Sequence, residues 1–295
     1  MNLTALAERL QIAGGSFAIA RTLAKKLGWP EDEVTFDALM SPDVKEKLGT
    51  LTFVTATDGN HGRGVAWAAS LLGHKSVVYM PKGSSLERLE NIRAQGAYAE
   101  IQTKITMAPS VWLTNGKQNG WILVQDTAWP GYEEIPAWIM QGYTTIAQEI
   151  FGQLKENNLQ MPTHLFLQAA SEASPGYAWK LCRKTGKDCP VTCIVEPDKA
   201  DCLTEAPDPG PSLRVTGDMD SMMAGPLAAD DALYHKLGNH PQRSRRLFSC
   251  SDDYSARGMR LLGRPEPAIL QSVSGESGAV GAGILAALME DKRSF

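Results

Sequence analysis

The chain has 295 residues, which is enough for one large domain or two closely packed ones. Hydrophobic residues make up 43% and charged residues 21%, a composition typical of globular proteins. The 29 basic and 33 acidic side chains leave a net charge of −4, which gives no reason to expect binding to nucleic acid or membranes. The first residues lack a signal-peptide pattern, and the longest nearly apolar stretch, 279–289, is too short to span a bilayer. We therefore expect a cytoplasmic protein.

Helices and short apolar strands alternate along the first half of the chain. Apolar residues recur on one face from Gly14 to Leu27, which predicts the first helix, and a later apolar helix ends near Leu72. Runs of β-branched and apolar residues predict strands at 51–57, 76–80, 97–101 and 121–125.

Local signals predict the starts of two further helices. Ser84 and Glu87 form a capping-box pattern at the start of a helix that ends near Ala94. Pro136 suits the first position of the next helix, where its missing N–H has no intrahelical partner to lose.

The alternation continues in the second half. We predict strands at 164–169, 191–197 and 248–250, helices at 173–184 and 254–262, and a last helix of small residues opening at Gly275. The Pro- and Asp-rich segment 203–217 is predicted to be a loop. Strands that alternate with helices predict an α/β fold with parallel sheets.

Five cysteines, an odd number in an expected cytoplasmic protein, argue against a disulfide framework. Cys189 and Cys193 could form half of a zinc site, but no second Cys or His pair lies at a suitable spacing. Cys193 also lies inside the strand-like run VTCIVEP, so we favour small buried apolar residues and predict no metal site.

Candidate site residues follow two predicted strands. The sequence Asp58-Gly59-Asn60-His61-Gly62 leads from a strand into a helix, where backbone amides can face an anion or a cofactor ring. Asp126 follows a later strand. From the residues alone, Asp58 could equally cap the helix and Asp126 could bond to loop amides. Histidine side chains can serve as acids or bases near neutral pH, but packing within the motif is the favoured role of His61.

Six blocks of sequence, in order, resemble diaminopropionate ammonia-lyase, an enzyme of the fold-type II pyridoxal-phosphate (PLP) class. The first block is TFVTATDGNHGRGVAWAA (52–69). The others are VVYMPKGSSLERLENIRAQGA (78–97), VQDTAWPGYEEIPAWIMQGY (124–143), IVEPDKADC (194–202), GDMDSMMAG (217–225) and SGESGAVGAG (274–283). The resemblance implies two parallel-sheet α/β domains with PLP in the cleft between them. It implies a larger domain of 1–47 plus 146–295 and a smaller domain of 48–145.

The resemblance also implies an activity: α,β-elimination of 2,3-diaminopropionate, a small amino acid, to pyruvate and ammonia. Asp58 and Asp126 would be acid–base carboxylates near the substrate, and Asn60 would contact the ring hydroxyl of PLP. The other implied cofactor-binding residues are Gly59, His61, Gly62, Gly275, Glu276 and Ser277. A helix N-terminus explains the last three equally well. Family members are commonly homodimers, so the resemblance also implies a homodimer.

Three departures bear on activity. Gln11 stands where the family has the lysine that holds PLP, and no lysine occurs before Lys25. The phosphate-binding loop reads QAASEASPGYAW (168–179), in which Gly176 is the single glycine. At contact range, Glu172 would repel a phosphate by roughly 4 kcal/mol per unit charge at an effective dielectric constant near 20. Segments that the family has at both ends are also expected to be missing.

These departures predict a family member with weak or absent lyase activity. Two alternatives stay open. The first is a non-catalytic protein that binds a small amino acid or a partner subunit. The second is a degraded gene product, which the clustered departures at 1–11, 102–120 and 170–177 favour.

Overall fold

The computed structural model describes residues 13–30, 34–57, 59–102, 116–168, 190–199, 245–264 and 271–291. Contacts between residues divide the chain into two units, Met1–Ile150 and Phe151–Phe295. Each unit contains a parallel sheet. The predicted α/β class with two parallel sheets is therefore confirmed. The finer domain limits remain a prediction.

Unit 1 is built on a four-stranded sheet in the order β3-β2-β1-β4, in which every pair of neighbours is parallel. Its elements in chain order are α1 (Ala13–Leu27), α2 (Phe36–Leu39), α3 (Pro42–Leu48), β1 (Thr52–Ala56), α4 (Asn60–Leu71), β2 (Lys75–Met80), α5 (Leu86–Arg93), β3 (Tyr98–Ile101), β4 (Ile122–Leu123) and α6 (Glu134–Glu156), which continues past the unit boundary.

Both faces of this sheet are apolar because successive strand residues, which point to opposite faces, are both apolar, as in Phe53–Val54 and Val77–Val78. On one face, Phe53 packs into the largest core with α1, α4 and Ile139 of α6. Val78 and Met80 join a second core with α4 and α5 on the same side. On the opposite face, Val54, Val77, Tyr79 and Leu123 form a cluster with Trp121, Trp129 and Tyr132.

Helix α1 lies deep in unit 1 because its apolar face is continuous. Phe17, Ile19, Ala20 and Leu23 are all buried. Gly28 ends the helix with a φ of +70°, a left-handed conformation that favours glycine. The N–H of the following Trp29 donates to the carbonyl of Ala24 (3.0 Å) and closes the last turn.

Unit 2 has a three-stranded parallel sheet, β5-β6-β7. Its described elements are β5 (His164–Gln168), β6 (Val191–Pro197), β7 (Arg245–Cys250), α7 (Asp252–Gly263) and α8 (Glu276–Glu290). Val280 and Ile284 of α8 pack with Val195 and Cys250 of the sheet. Cys193 is buried in β6, as predicted, and burial raises its pKa above the usual value.

Helices α7 and α8 approach so closely that two positions admit glycine alone. A Cβ atom at Gly258 would overlap the carbonyl oxygen of Ala279, and one at Gly283 would overlap the carbonyl oxygen of Tyr254. Arg257 and Glu290 add an ion pair between the same two helices.

Two predicted helix starts are wrong. Ser85, and not Ser84, caps α5, because its Oγ accepts from the N–H of Arg88 (3.1 Å). Helix α6 begins at Glu134, which puts Pro136 at the third position; this is tolerated because first-turn N–H groups have no intrahelical acceptor. The predicted helix 173–184 and loop 203–217 lie outside the described residues. Within the described residues, no helix has the length and apolar character needed to cross a membrane.

We predict that His74 makes unit 1 sensitive to acid. Its Nδ1 accepts from the N–H of Leu51 (3.3 Å), and its ring lies against Phe53 at 5.8 Å between centroids. Burial, and secondly the charge of Lys45, lower its pKa below 6.5. The unfolded chain therefore takes up a proton first, and the free energy of unfolding should fall as the pH drops below about 6.5 towards the folded value.

Denaturant unfolding at several pH values between 5 and 8 measures the slope of the free energy of unfolding against pH. His74→Asn keeps an acceptor near the Nδ1 position and cannot titrate, so its curve should be flatter over this range. Lys45→Gln should reduce the total loss of stability, because removing this charge raises the folded pKa of His74 towards its unfolded value. Equal slopes in the wild type and His74→Asn would contradict the assignment.

Candidate active site

The strand order of unit 1 places the carboxyl ends of β1 and β4 side by side. The chain runs from β1 through α4 to β2 on one side of β1, and it returns from β3 to β4 on the other. Ligands of open parallel sheets usually bind beyond the carboxyl ends of the strands. Asp58 and Asp126 follow these two strand ends in the sequence, although Asp58 lies outside the described residues.

The start of α4 follows the carboxyl end of β1. Gly59 caps the helix without a side-chain hydrogen bond to its first turn, and its own N–H donates to Thr57 Oγ1 (3.2 Å). Asn60 is the first helical residue and is exposed. Because first-turn N–H groups have no intrahelical acceptor, this end can bind an anion or a polar ring substituent.

Gly62 explains how α4 lies so close to the sheet. A Cβ atom there would overlap Thr57 Cγ2 and lie 2.8 Å from Val78 Cγ1. The glycine therefore contributes to the packing of the helix on β1 and β2. Its predicted contact with a cofactor remains a prediction.

His61 joins three elements of unit 1. It is buried, and its Nε2 lies 2.8 Å from the carbonyl oxygen of Val124, just beyond β4. Its Cε1 would lie 3.6 Å from a Cβ atom at Gly15 of α1. These contacts support the packing role that the sequence favoured for His61, while its role towards a cofactor stays a prediction.

Gln125, which the sequence analysis missed, holds the two strand ends together. Its buried Oε1 accepts from Thr55 Oγ1 (3.1 Å) and from the N–H of Ala56 (3.0 Å), both in β1. Its Nε2 donates to Asp126 Oδ1 (3.0 Å). One amide thus connects β1 to Asp126 and orients this half-buried carboxylate just beyond β4. Position 125 lies within the block that resembles the family, but that block did not distinguish its amide from its neighbours.

An aromatic pair stabilises the loop after Asp126. The N–H of Gln125 donates to the hydroxyl oxygen of Tyr132 (2.7 Å), and the Tyr132 ring stacks on Trp129 with 4.3 Å between centroids. Both rings belong to the cluster on the second face of the sheet. Trp138 lies instead beside α1, with the Arg21 guanidinium 5.3 Å from its ring centroid. Packing contacts within unit 1 therefore account for all three aromatic residues.

Tyr143 is a second residue that the sequence analysis missed. It lies on α6, and its ring faces the start of α1, where a Cβ atom at Gly14 would be 2.5 Å from Tyr143 Cε2. Burial, and secondly the charge of Asp126, raise the pKa of Tyr143 to about 12. The phenol is therefore neutral at physiological pH and can donate a hydrogen bond.

A family model of pyridoxal-phosphate dependent enzymes matches residues 10–293. The chain belongs to this family. PLP is thus the family's cofactor, as predicted, and the fold-type II class is confirmed.

The similarity is strong to one branch of the family. Diaminopropionate ammonia-lyase of Salmonella typhimurium is 46% identical over 94% of this chain and 70% of that protein. The crystal structure of the holo form from Escherichia coli has a TM-score of 0.82 at 38% identity and covers 96% of this chain and 70% of that one. The Escherichia coli enzyme in complex with D-serine has a TM-score of 0.79 at 39% identity, with coverage of 96% and 70%. The predicted resemblance is confirmed.

The remaining predicted site residues lie in unit 2, at the start of α8. Gly275 caps the helix without a side-chain hydrogen bond, and Glu276 lies in its first turn, where a carboxylate suits the helix dipole. Gly275 and Ser277 are exposed. This geometry is that of an ordinary helix start, and a cofactor contact here stays a prediction.

The polar groups of unit 1 fit part of a PLP site. The uncapped start of α4 and the exposed Asn60 offer donors after β1, and the oriented Asp126 offers an acceptor after β4. The covalent attachment depends on a prediction from the sequence: Gln11 is expected at the lysine position, and an amide is not an amine nucleophile. Gln11 and the phosphate-loop residues 169–179 lie outside the described residues.

We predict that Gly62→Ala lowers the free energy of unfolding by roughly 1–3 kcal/mol, because the added methyl group overpacks the junction of α4 with β1 and β2. Gly152→Ala is the matched control. Position 152 is helical with no atom within 4 Å of an added Cβ, so alanine should stabilise by up to about 1 kcal/mol. Denaturant unfolding measures both changes. A neutral Gly62→Ala substitution would show that the close approach of α4 does not require glycine.

Proposed function

We propose that this chain is, by descent, a diaminopropionate ammonia-lyase whose elimination reaction is weak or absent. The similarity to that enzyme over 94% of the chain supports the reaction class. The hydrogen-bonded connection of β1, Gln125 and Asp126 is the structural observation that carries the proposal, because it holds an oriented carboxylate at the ligand position of a parallel sheet.

We propose a separate role in the reaction for each of the site residues. Asp126 would hold or move a proton near the substrate, and Asp58 would do the same at the α-carbon, by resemblance. The start of α4, with Asn60, would orient the cofactor ring. PLP, when bound, takes up the electrons released from the substrate. The substrate would be 2,3-diaminopropionate, and the products pyruvate and ammonia.

Gln11 limits this chemistry. A lysine amine can form a covalent bond to the cofactor and exchange protons, whereas a glutamine side chain does neither. The charge of Glu172 in the phosphate-loop sequence would weaken binding further. We therefore propose non-covalent and weak binding of PLP in the wild type.

The test is a PLP titration of the wild type, Gln11→Lys and the control Gln11→Met. Visible absorbance is followed, and borohydride reduction with mass spectrometry then locates any modified lysine. We expect saturable binding without a reducible adduct in the wild type and in Gln11→Met. Gln11→Lys should give an adduct at position 11 and raise kcat/KM for diaminopropionate by about 100-fold or more, since a positioned acid–base group contributes roughly 10²–10⁴-fold.

Other outcomes would overturn parts of the proposal. An adduct on a lysine of the wild type, such as Lys82 or Lys199, would show that another residue replaces the missing one. Failure of Gln11→Lys to bind PLP would assign the defect to the phosphate loop, and Gln11→Lys combined with Glu172→Gln would then be the decisive variant. Absence of PLP binding in every variant would contradict the proposal that this chain binds the cofactor.

A second candidate is a protein that binds a small amino acid without catalysis. The retained orientation of Asp126 together with the missing lysine favours it. Such a protein should unfold cooperatively and gain thermal stability with diaminopropionate or D-serine in the absence of PLP. A degraded gene product should show neither property. The cytoplasmic location and the homodimeric assembly remain predictions from the sequence.

A further inference from the structure

Gln125 can present only one end of its side-chain amide to Asp126. Its Oε1 lies 3.0 Å from the backbone nitrogen of Ala56 and 3.1 Å from Thr55 Oγ1. A backbone N–H can only donate, so the atom that faces Ala56 must be the amide oxygen. The amide nitrogen then faces Asp126, and it donates to Oδ1 at 3.0 Å. Strand β1 therefore decides which hydrogen-bonding group the Asp126 carboxylate meets.

The backbone of Gln125 is held as well, which leaves its side chain little freedom. Its N–H donates to the hydroxyl oxygen of Tyr132 (2.7 Å), and that hydroxyl lies within donating distance of the carbonyl oxygens of Leu123 (3.2 Å) and of Gln125 itself (3.3 Å). Thr55 and Gln125 are only 1% and 5% exposed, so their hydrogen bond is shielded from water. A buried amide must keep its partners, and this set of partners fixes one orientation.

We propose that Gln125 is a positioning residue for the elimination reaction, acting on Asp126 through an amide that β1 holds in one orientation. The part that Asp126 plays in turnover rests on the proposed function, whereas the coupling of Thr55, Gln125 and Asp126 does not. Because the coupling begins in β1, the buried hydroxyl of Thr55 acts on the Asp126 carboxylate through the amide.

The first test is spectroscopic and uses the full chain without added cofactor. Aspartate labelled with ¹³C at the carboxyl carbon reports the Asp126 carboxylate, and its signal is identified by its loss in Asp126→Asn. Glutamine labelled with ¹⁵N at the side-chain amide reports Gln125, and its signal is identified by its loss in Gln125→Met. Thermal unfolding shows whether each variant is folded.

Gln125→Met should move the Asp126 carboxyl signal, because methionine has a similar length and lacks the N–H donor. Gln141→Met is the matched control. Gln141 is exposed on α6, so its substitution should leave the Asp126 signal in place. Asp126→Asn should in return move the ¹⁵N signal of Gln125. An unchanged Asp126 signal in a folded Gln125→Met variant would overturn the proposal.

A second pair of variants decides the case in which Gln125→Met does not fold. Thr55→Val keeps the β-branched shape and loses the hydroxyl group, so it should move the signals of both Gln125 and Asp126. Thr55→Ser keeps the hydroxyl group and should retain the wild-type Asp126 signal. Movement of the Gln125 signal alone in Thr55→Val, or the same Asp126 signal in all three chains, would contradict transmission through the amide.

The catalytic test uses the Gln11→Lys chain, in which lyase activity is expected. Adding Gln125→Met should lower kcat/KM for diaminopropionate by about 10-fold or more, which is part of the roughly 10²–10⁴-fold that a positioned acid–base group contributes. The loss should lie mainly in kcat, because the orientation of this carboxylate matters to the chemical step more than to substrate binding. Adding Gln141→Met should leave both constants unchanged.

Two results separate this proposal from the proposed function. Full kcat/KM in the chain that carries both Gln11→Lys and Gln125→Met would overturn the positioning role of Gln125. Inactivity of Gln11→Lys by itself would count against the proposed function alone, and the carboxyl signal of Asp126 would then decide whether Gln125 positions that carboxylate.

Discussion

The candidate site of unit 1 depends on the side-chain amide of Gln125. A buried amide must satisfy both its oxygen and its nitrogen, and here the oxygen accepts from β1 while the nitrogen donates to Asp126. Since β4 is only two residues long, few backbone hydrogen bonds hold it to β1. The amide supplements that short pairing, and it links the position of Asp126 to the correct alignment of the two strands.

The described part of the candidate site consists of the α4 start, the His61 contact with Val124 and the oriented Asp126. The departures predicted from the sequence, Gln11 and Glu172, lie outside the described residues. Packing of α1 through Gly14 and Gly15 involves Tyr143, Val65 and His61. The helix that follows position 11 thus has a well-packed start.

Sequence patterns predicted most of the secondary structure because apolar periodicity follows burial directly. The helix over 14–27 and the strands near 51–57, 76–80 and 191–197 agree with the structure to within one or two residues. Predictions that had to choose between two adjacent residues were less accurate. Ser84 and Ser85 are chemically identical candidates for a helix cap, and only the backbone geometry selects Ser85. Gln125 and Tyr143 were missed because their partners are distant in sequence, so no local pattern marks them.

The paired glycines of α7 and α8 limit how unit 2 can change. Gly258 and Gly283 each face a backbone carbonyl of the other helix, and not a side chain. A clash with a side chain can be relieved by trimming that side chain, but a carbonyl oxygen is present whatever residue carries it. No second substitution elsewhere can therefore make room for a methyl group at either position while the helices keep their spacing. These two sites should accept no other amino acid in a random library selected for folding, whereas the exposed Leu285 on the same helix should accept many.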